Sequence, residues 1–205
     1  MTIMKSNGPR IEDGAFIARP ENQESKQAIF GQGGVIRRGS IIYCDVEAGD
    51  NFQTGHNVVI RSQTKIGDHV VVGTGTTIDG QVEIGNFVKI ETNCYIPTHV
   101  MIGNRVFIGP GVTITNDLVP LKMRDAYLRD GPAGPIIEDF VTIGGGVTLC
   151  PGVRIGRGSF IAAGAVVTKD VPEMSFIKGV PGVISDLPEA LKAPNMALSW
   201  KGLVE

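Results

Sequence analysis

The chain has 205 residues, a net charge of −2, 28 glycines and only 6% aromatic residues. That length allows one domain with a sizeable core, while scattered basic residues and near-neutral charge argue against nucleic acid or an anionic membrane as partner. No uncharged apolar run is long enough to span a bilayer, and Met1–Pro9 lacks the apolar stretch of a secretory signal, so a cytoplasmic location is expected. In chain order, residues 1–35 read as an irregular lead-in, with Ile11 to Phe16 as an isolated first hexad.

From Ile36 an aliphatic residue recurs every six positions: Ile36, Ile42, Ile60, Ile66, Val72, Ile78, Ile84, Ile90, Ile96, Ile102, Ile108 and Ile114, with Ala48 and Thr54 holding the phase. A second inward residue follows four places later, as in Val58, Val70, Val82 and Cys94. Gly67-Asp68, Gly85-Asn86 and Gly103-Asn104 supply turn residues between them. The phase breaks across an insertion, residues 118–135, and resumes at Ile137, Ile143, Leu149, Ile155, Ile161 and Val167. A helix would show a period near 3.6 and an amphipathic strand a period of two, so a sustained six predicts stacked coils whose inward aliphatics form one column. The expectation is an all-β chain: a parallel β-helix over residues 36–183 with one inserted loop, then a tail, 184–205, forming a short C-terminal helix on Leu187, Ala190, Leu191, Met196 and Leu198. Cys44, Cys94 and Cys150 lack the close spacing of a zinc or redox site and read as packed, reduced thiols. No metal is expected.

These hexads resemble the left-handed β-helix acyltransferases. The resemblance implies left-handed coils of three hexads, a homotrimer, and acetyl-CoA as acyl donor. The segment from Ile108 to Asp117, ahead of the loop, is similar to acetyltransferases of nucleotide-linked 3-amino sugars. Ile136 to Gly144 and Val166 to Pro172 resemble a wider set of sugar, serine and aminodicarboxylate acyltransferases. The family's closing Gly-x-Pro-Ala stands here as Gly179-Val180-Pro181-Gly182, which places Pro181 at the cofactor.

With eighteen residues per coil, residues eighteen apart are neighbours at roughly 4.8 Å. Gly144, Gly145 and Gly146 then lie against Ala162, Ala163 and Gly164, with Gly109, Pro110 and Gly111 one coil earlier. Such a strip of small residues suits a narrow pantetheine arm, and the Thr168-Lys169 turn offers a cation for phosphate. Asn93 stacks under Gly111 where the strip ends, as an oxyanion donor. By the same count His99 stacks under Asp117, which makes them a candidate base and orienting carboxylate. His56 is the second candidate base or an acceptor contact, and His69 reads as a solvated corner residue. Asn116 and the loop's Lys122, Arg124 and Arg129 are placed toward the acceptor, the basic residues facing a diphosphate.

The reading is an acetyl-CoA-dependent N-acetyltransferase of an amino sugar, nucleotide-linked, in surface polysaccharide synthesis. The alternatives are O-acetylation of a sugar or serine, a gamma-type carbonic anhydrase and an inactive scaffold. The anhydrase needs three converging histidines, and the hexads carrying His56, His69 and His99 fall on three different faces.

Overall fold

The computed structural model describes residues 3–4, 8–21, 23–122, 125, 128–129, 131–193 and 195. Strands of two to four residues alternate with corners, and every third strand pairs in parallel with the next coil. Among the described residues this builds three sheets of eight, ten and eight strands. The fold is a left-handed parallel β-helix, a triangular prism. The first face carries Ile66, Ile84, Ile102, Ile137 and Ile155 inward. The second carries Val72, Ile90, Ile108, Ile143 and Ile161. The third carries Ile78, Ile96, Ile114, Leu149 and Val167.

Sequence spacing becomes packing directly. Pairs such as Val72↔Ile90 are eighteen apart, so each inward aliphatic lands on its counterpart one coil away, and most are wholly buried. Burying one such side chain stabilises by about 1.5–3 kcal/mol. Inward hydroxyls break the column without being left unpaired: Thr64 donates to the Arg61 carbonyl (2.8 Å), Thr76 to that of Glu91 (2.9 Å), and Ser159 to that of Pro172 (2.8 Å). Cys44 and Cys94 are buried free thiols and Cys150 is half-buried.

The corners bend through a left-handed residue, for example His69, Phe87, Asn93, His99 and Arg105, with φ between 56° and 67°. That conformation is unfavourable for side-chain-bearing residues, and neighbouring coils compensate. On the first corner, between the first and second faces, the Oδ1 atoms of Asp50, Asp68, Asn86, Asn104 and Asp139 each accept an N–H from the coil below at 2.7–2.9 Å. Beside them the His69 ring stacks on Phe87 (4.7 Å between centroids), and the Arg105 guanidinium lies 5.0 Å from the Phe87 ring and 5.9 Å from Phe140.

Two sequence expectations change. The lead-in is not irregular where it is described. Strands Ile3–Met4, Arg10–Ile11 and Phe16–Arg19 form a first coil that pairs with the second, Ile3↔Ile29, Arg10↔Val35 and Phe16↔Ile41. This coil takes 25 or 26 residues instead of eighteen, so counting sixes cannot find it. The tail also differs: Val183–Asp186 is a strand, antiparallel to Ser175–Lys178, and Glu189–Leu191 is a single 3₁₀ turn after Pro188. Of the residues that the apolar spacing assigned to a helix, Ala190 and Leu191 fall in this turn and Leu187 lies between it and the strand. Met196 and Leu198 lie outside the described residues.

Candidate functional site

The second corner, between the second and third faces, is built by a ladder of backbone hydrogen bonds. Asn57, Gly75, Asn93, Gly111, Gly146 and Gly164 donate, in that order, to the carbonyls of Arg38, His56, Thr74, Thr92, Pro110 and Gly145. The ladder sets Arg38, His56, Thr74, Thr92, Pro110, Gly145 and Ala163 in one column, because the corner residue of each coil binds the residue before its counterpart. The upper part is the strip of small residues found from the sequence. Gly111, Gly146 and Gly164 have φ near 70°, and the space where a side chain would stand is empty to 4 Å at each, so the strip is an open ledge. Gly144 packs so closely on the Ala163 backbone that a β-carbon there would collide with it. Asn93 lies one coil below Gly111, in the register expected.

The third corner, between the third and first faces, holds His99, Thr168 and Lys169. Gly145 and Ala163 therefore stand at one edge of the third face, and Thr168 and Lys169 at the other. Above it, Gly182 donates to the Val166 carbonyl (2.7 Å) and Val166 to that of Gly179 (3.1 Å), which folds the Pro181 turn over the end of this face. The five positions frame the upper third face rather than one edge. Thr168 and Lys169 are exposed.

The His99–Asp117 pairing does not form. Asn116 does stack on Thr98, its Nδ2 donating to the Thr98 carbonyl (3.1 Å) and Oγ1 (2.9 Å). Beyond it the chain leaves the prism, and Asp117 turns its carboxylate to the Val119 N–H (3.0 Å). The residue stacked on His99 is Gly134, since Met101 pairs with Ile136 and a β-carbon on Gly134 would strike the His99 carbonyl. That offset of 35 is a normal coil plus seventeen residues, so the eighteen-residue count fails one position after Asn116. The loop is thus rooted directly above His99, with Ala133 N–H bound to the Asn116 carbonyl (2.9 Å). Arg124 lies outside the described residues.

His56, His69 and His99 occupy the second, first and third corners respectively. They do not converge within this chain.

One cluster escaped sequence reasoning. Arg61, at the third corner, binds Glu21 (2.6 Å) and Asp79 (3.1 Å), and the Tyr95 hydroxyl bonds Asp79 (3.3 Å). Burial and the Asp79 carboxylate push the Tyr95 phenol above its ordinary range. Burial, the largest single influence, raises Glu21, but the Arg61 guanidinium, by hydrogen bond and by charge, together with Ser62 holds the carboxyl below the usual value. Tyr95 is 40% exposed on the third face, in the hexad between Asn93 and His99. The 61–79 spacing is one coil, a signal the aliphatic pattern hid. A groove of about 970 Å³ lies away from all of these on the first face, lined by Glu47, Lys65, Glu83, Met101, Glu138 and Arg157. No helix among the described residues is long and apolar enough to cross a membrane.

Comparison with known proteins joins these features. Residues 49–80, 81–116 and 134–169, half of the chain, match the family described as "Bacterial transferase hexapeptide (six repeats)", and the gap 117–133 is the loop insertion. A Saccharomyces cerevisiae protein named "Putative acetyltransferase YJL218W" is 35% identical over 144 residues, 68% of this chain and 56% of that one. The galactoside O-acetyltransferase of Lactococcus lactis is 41% identical over 83 residues, 38% of this chain and 39% of that one. The chain thus spans little more than half, or less, of these relatives' lengths. A UDP-N-acetylglucosamine acyltransferase from Bacteroides fragilis superposes with a TM-score of 0.62 at 20% identity, over 89% of this chain and 74% of that one, a likeness of fold. With the hexapeptide register, the three-faced prism and a match over half its length in agreement, the chain belongs to the bacterial transferase hexapeptide family.

Proposed function

We propose that this chain is an acetyl-CoA-dependent N-acetyltransferase acting on an amino sugar, nucleotide-linked and destined for surface polysaccharide, as a cytoplasmic homotrimer. The observation that carries the reading is the open ledge at Gly111, Gly146 and Gly164, beside Pro110, Gly145 and Ala163 and beginning one coil above Asn93. A pantetheine arm lies along this ledge, its thioester near Asn93, and Pro181, Thr168 and Lys169 meet the nucleotide end. Curated relatives named as acetyltransferases support the transfer chemistry.

The amine attacks the thioester carbonyl, forming the C–N bond. The tetrahedral oxyanion accepts from Asn93, and the C–S bond breaks to release CoA thiolate. His99 takes the amine proton and passes it to the thiolate. His99 stands across the third face from the ledge, so a second copy packed against that face completes the site, which is why the trimer belongs to the proposal. Asn116, His56 and Arg124 are assigned to the acceptor. General-base assistance contributes on the order of 10²–10⁴-fold.

Thiol release from acetyl-CoA, assayed with UDP- and dTDP-linked amino sugars, tests the activity. Turnover is expected with an amino sugar, and kcat/KM of His99→Asn should fall about a hundredfold or more. Wild-type kinetics in that variant would move the base to His56, and silence on every amine would sink the reading. The 41% identity to a galactoside O-acetyltransferase favours one second reading, transfer to a sugar hydroxyl. The same assay with galactosides separates the two.

A further inference from the structure

The second-corner column changes character along its length. Its upper end is the small-residue ledge, its middle carries the hydroxyls of Thr74 and Thr92, and its lower end is cationic. Arg38 and His56 are successive members of the column, since Asn57 donates to the Arg38 carbonyl (3.2 Å) and Gly75 to that of His56 (2.9 Å). Both are exposed. Arg37 flanks them, tied by Nη1 to the Thr54 carbonyl (2.6 Å), and Arg10 stands on the coil below, paired with Glu12 at 3.3 Å. The carboxylate tied to this corner is Glu12. Glu12 is engaged twice, by Arg10 and by the Arg38 backbone N–H (3.1 Å). Among the described residues no carboxylate pairs with the Arg38 guanidinium. The Glu12 carboxyl lies below its usual range, first through that N–H, which burial opposes, and then through the charges of Arg10, His56 and Arg37. The corner therefore carries excess positive charge on the line of the proposed donor groove, at the end remote from Lys169.

We propose that Arg38 and His56 form an anion site for the phosphates of the acceptor, which makes the acceptor a diphosphate-linked sugar rather than a free one. This rests on the acetyltransferase reading and deepens it. At about 4.8 Å per coil, His56 lies two coils, about 10 Å, below Asn93, and Arg38 three coils, about 14 Å. A hexose with its amine at Asn93 and its diphosphate hanging downward spans a comparable length, with Thr74 and Thr92 facing the ring hydroxyls between. A guanidinium presents a fork of N–H donors that matches phosphate oxygens, and an adjacent imidazole adds a donor. The phosphates of CoA are the rival source of the same chemistry, and the ledge assigns those to the opposite end.

Calorimetric titration with inorganic pyrophosphate, UDP and CoA tests this on the wild type, Arg38→Gln and His56→Asn. Wild type should bind pyrophosphate and UDP, more weakly as salt rises. Arg38→Gln should lose about tenfold or more in both, as removal of a charge-assisted pair implies, with His56→Asn losing less and CoA affinity unchanged in either. Circular dichroism checks that the variants fold. Failure of the wild type to bind either anion overturns the proposal, as does unchanged anion affinity in folded Arg38→Gln. Parallel weakening of CoA overturns it too, because the patch would then belong to the donor. CoA titration of the wild type reads the acetyltransferase assignment separately: pyrophosphate binding without CoA binding sinks that assignment and keeps the anion site.

Discussion

At the residue scale, Gly134 fixes where the loop meets the prism. Its backbone stands so close to the His99 carbonyl that a β-carbon would collide with main-chain atoms of His99 and Val100, which cannot rotate away. Gly134→Ala must therefore push the loop root outward or open the third corner, an overpacking cost of about 1–3 kcal/mol. Thermal unfolding should show a lowered Tm, and turnover should fall because His99 lies under the displaced root. A variant with wild-type Tm and kinetics would show that the root moves freely and takes no part in placing His99. His99 itself was legible as a corner residue of the eighteen-residue register. Its neighbour was not: Asp117 follows Asn116 in sequence, but the chain departs there, and only Met101↔Ile136 shows that Gly134 takes the place. Arg38 was hidden differently. It lies in the same column as His56 and Gly145, and stepping the register downward from the small residues would have reached it.

At the scale of the coil, inward aliphatics do not explain why the corners hold. Each first corner leaves an N–H facing the coil above, and a side-chain oxygen from that coil takes it: Asp68 N–H meets Asn86 Oδ1 (2.8 Å) and Asn86 N–H meets Asn104 Oδ1 (2.9 Å). This is why Asp or Asn recurs after glycine in the turn dipeptides, beyond the tolerance of such residues for turns. Asn86→Ala deprives Asp68 of its acceptor and should cost about 1 kcal/mol, the net worth of such a bond. Because its partners are exposed to water, the loss should be smaller than the 2–5 kcal/mol typical of Ile→Ala in a core. Chemical denaturation of Asn86→Ala beside Ile90→Ala measures the ratio, and equal losses would mean that the corner ladder matters as much as the core. The interior was legible because six-residue periodicity reports inward positions directly. The first coil, with its 25-residue offset, and the antiparallel strand of Val183–Asp186 were not, since neither repeats anything.

Over the whole molecule, the loop is an addition to a prism that is complete without it. Asn116 already stacks on Thr98, Gly134 already stacks on His99, and the intervening residues 117–133 add seventeen to a coil of eighteen. Removing 117–133 and joining Asn116 to Gly134 restores the regular offset. The Gly152 N–H, now bound to the Ala133 carbonyl (2.7 Å), would find the Asn116 carbonyl in the equivalent place. A shortened connection lowers the entropic cost of closing the loop, by only about 0.6 kcal/mol per halving of loop length, and among the described residues no inward aliphatic is lost. The deletion variant should therefore fold, with a β-rich circular dichroism spectrum and a Tm within a few degrees of wild type, about the shift that 1 kcal/mol produces in a chain of this size. Its CoA affinity should persist, because the ledge at Gly145 and Ala163 belongs to the second corner. Turnover of the acceptor should drop steeply if the loop closes over the sugar above His99. Loss of folding would show that the loop is a structural strut, and retention of full kcat/KM would remove it from the acceptor site and leave recognition to the corners alone.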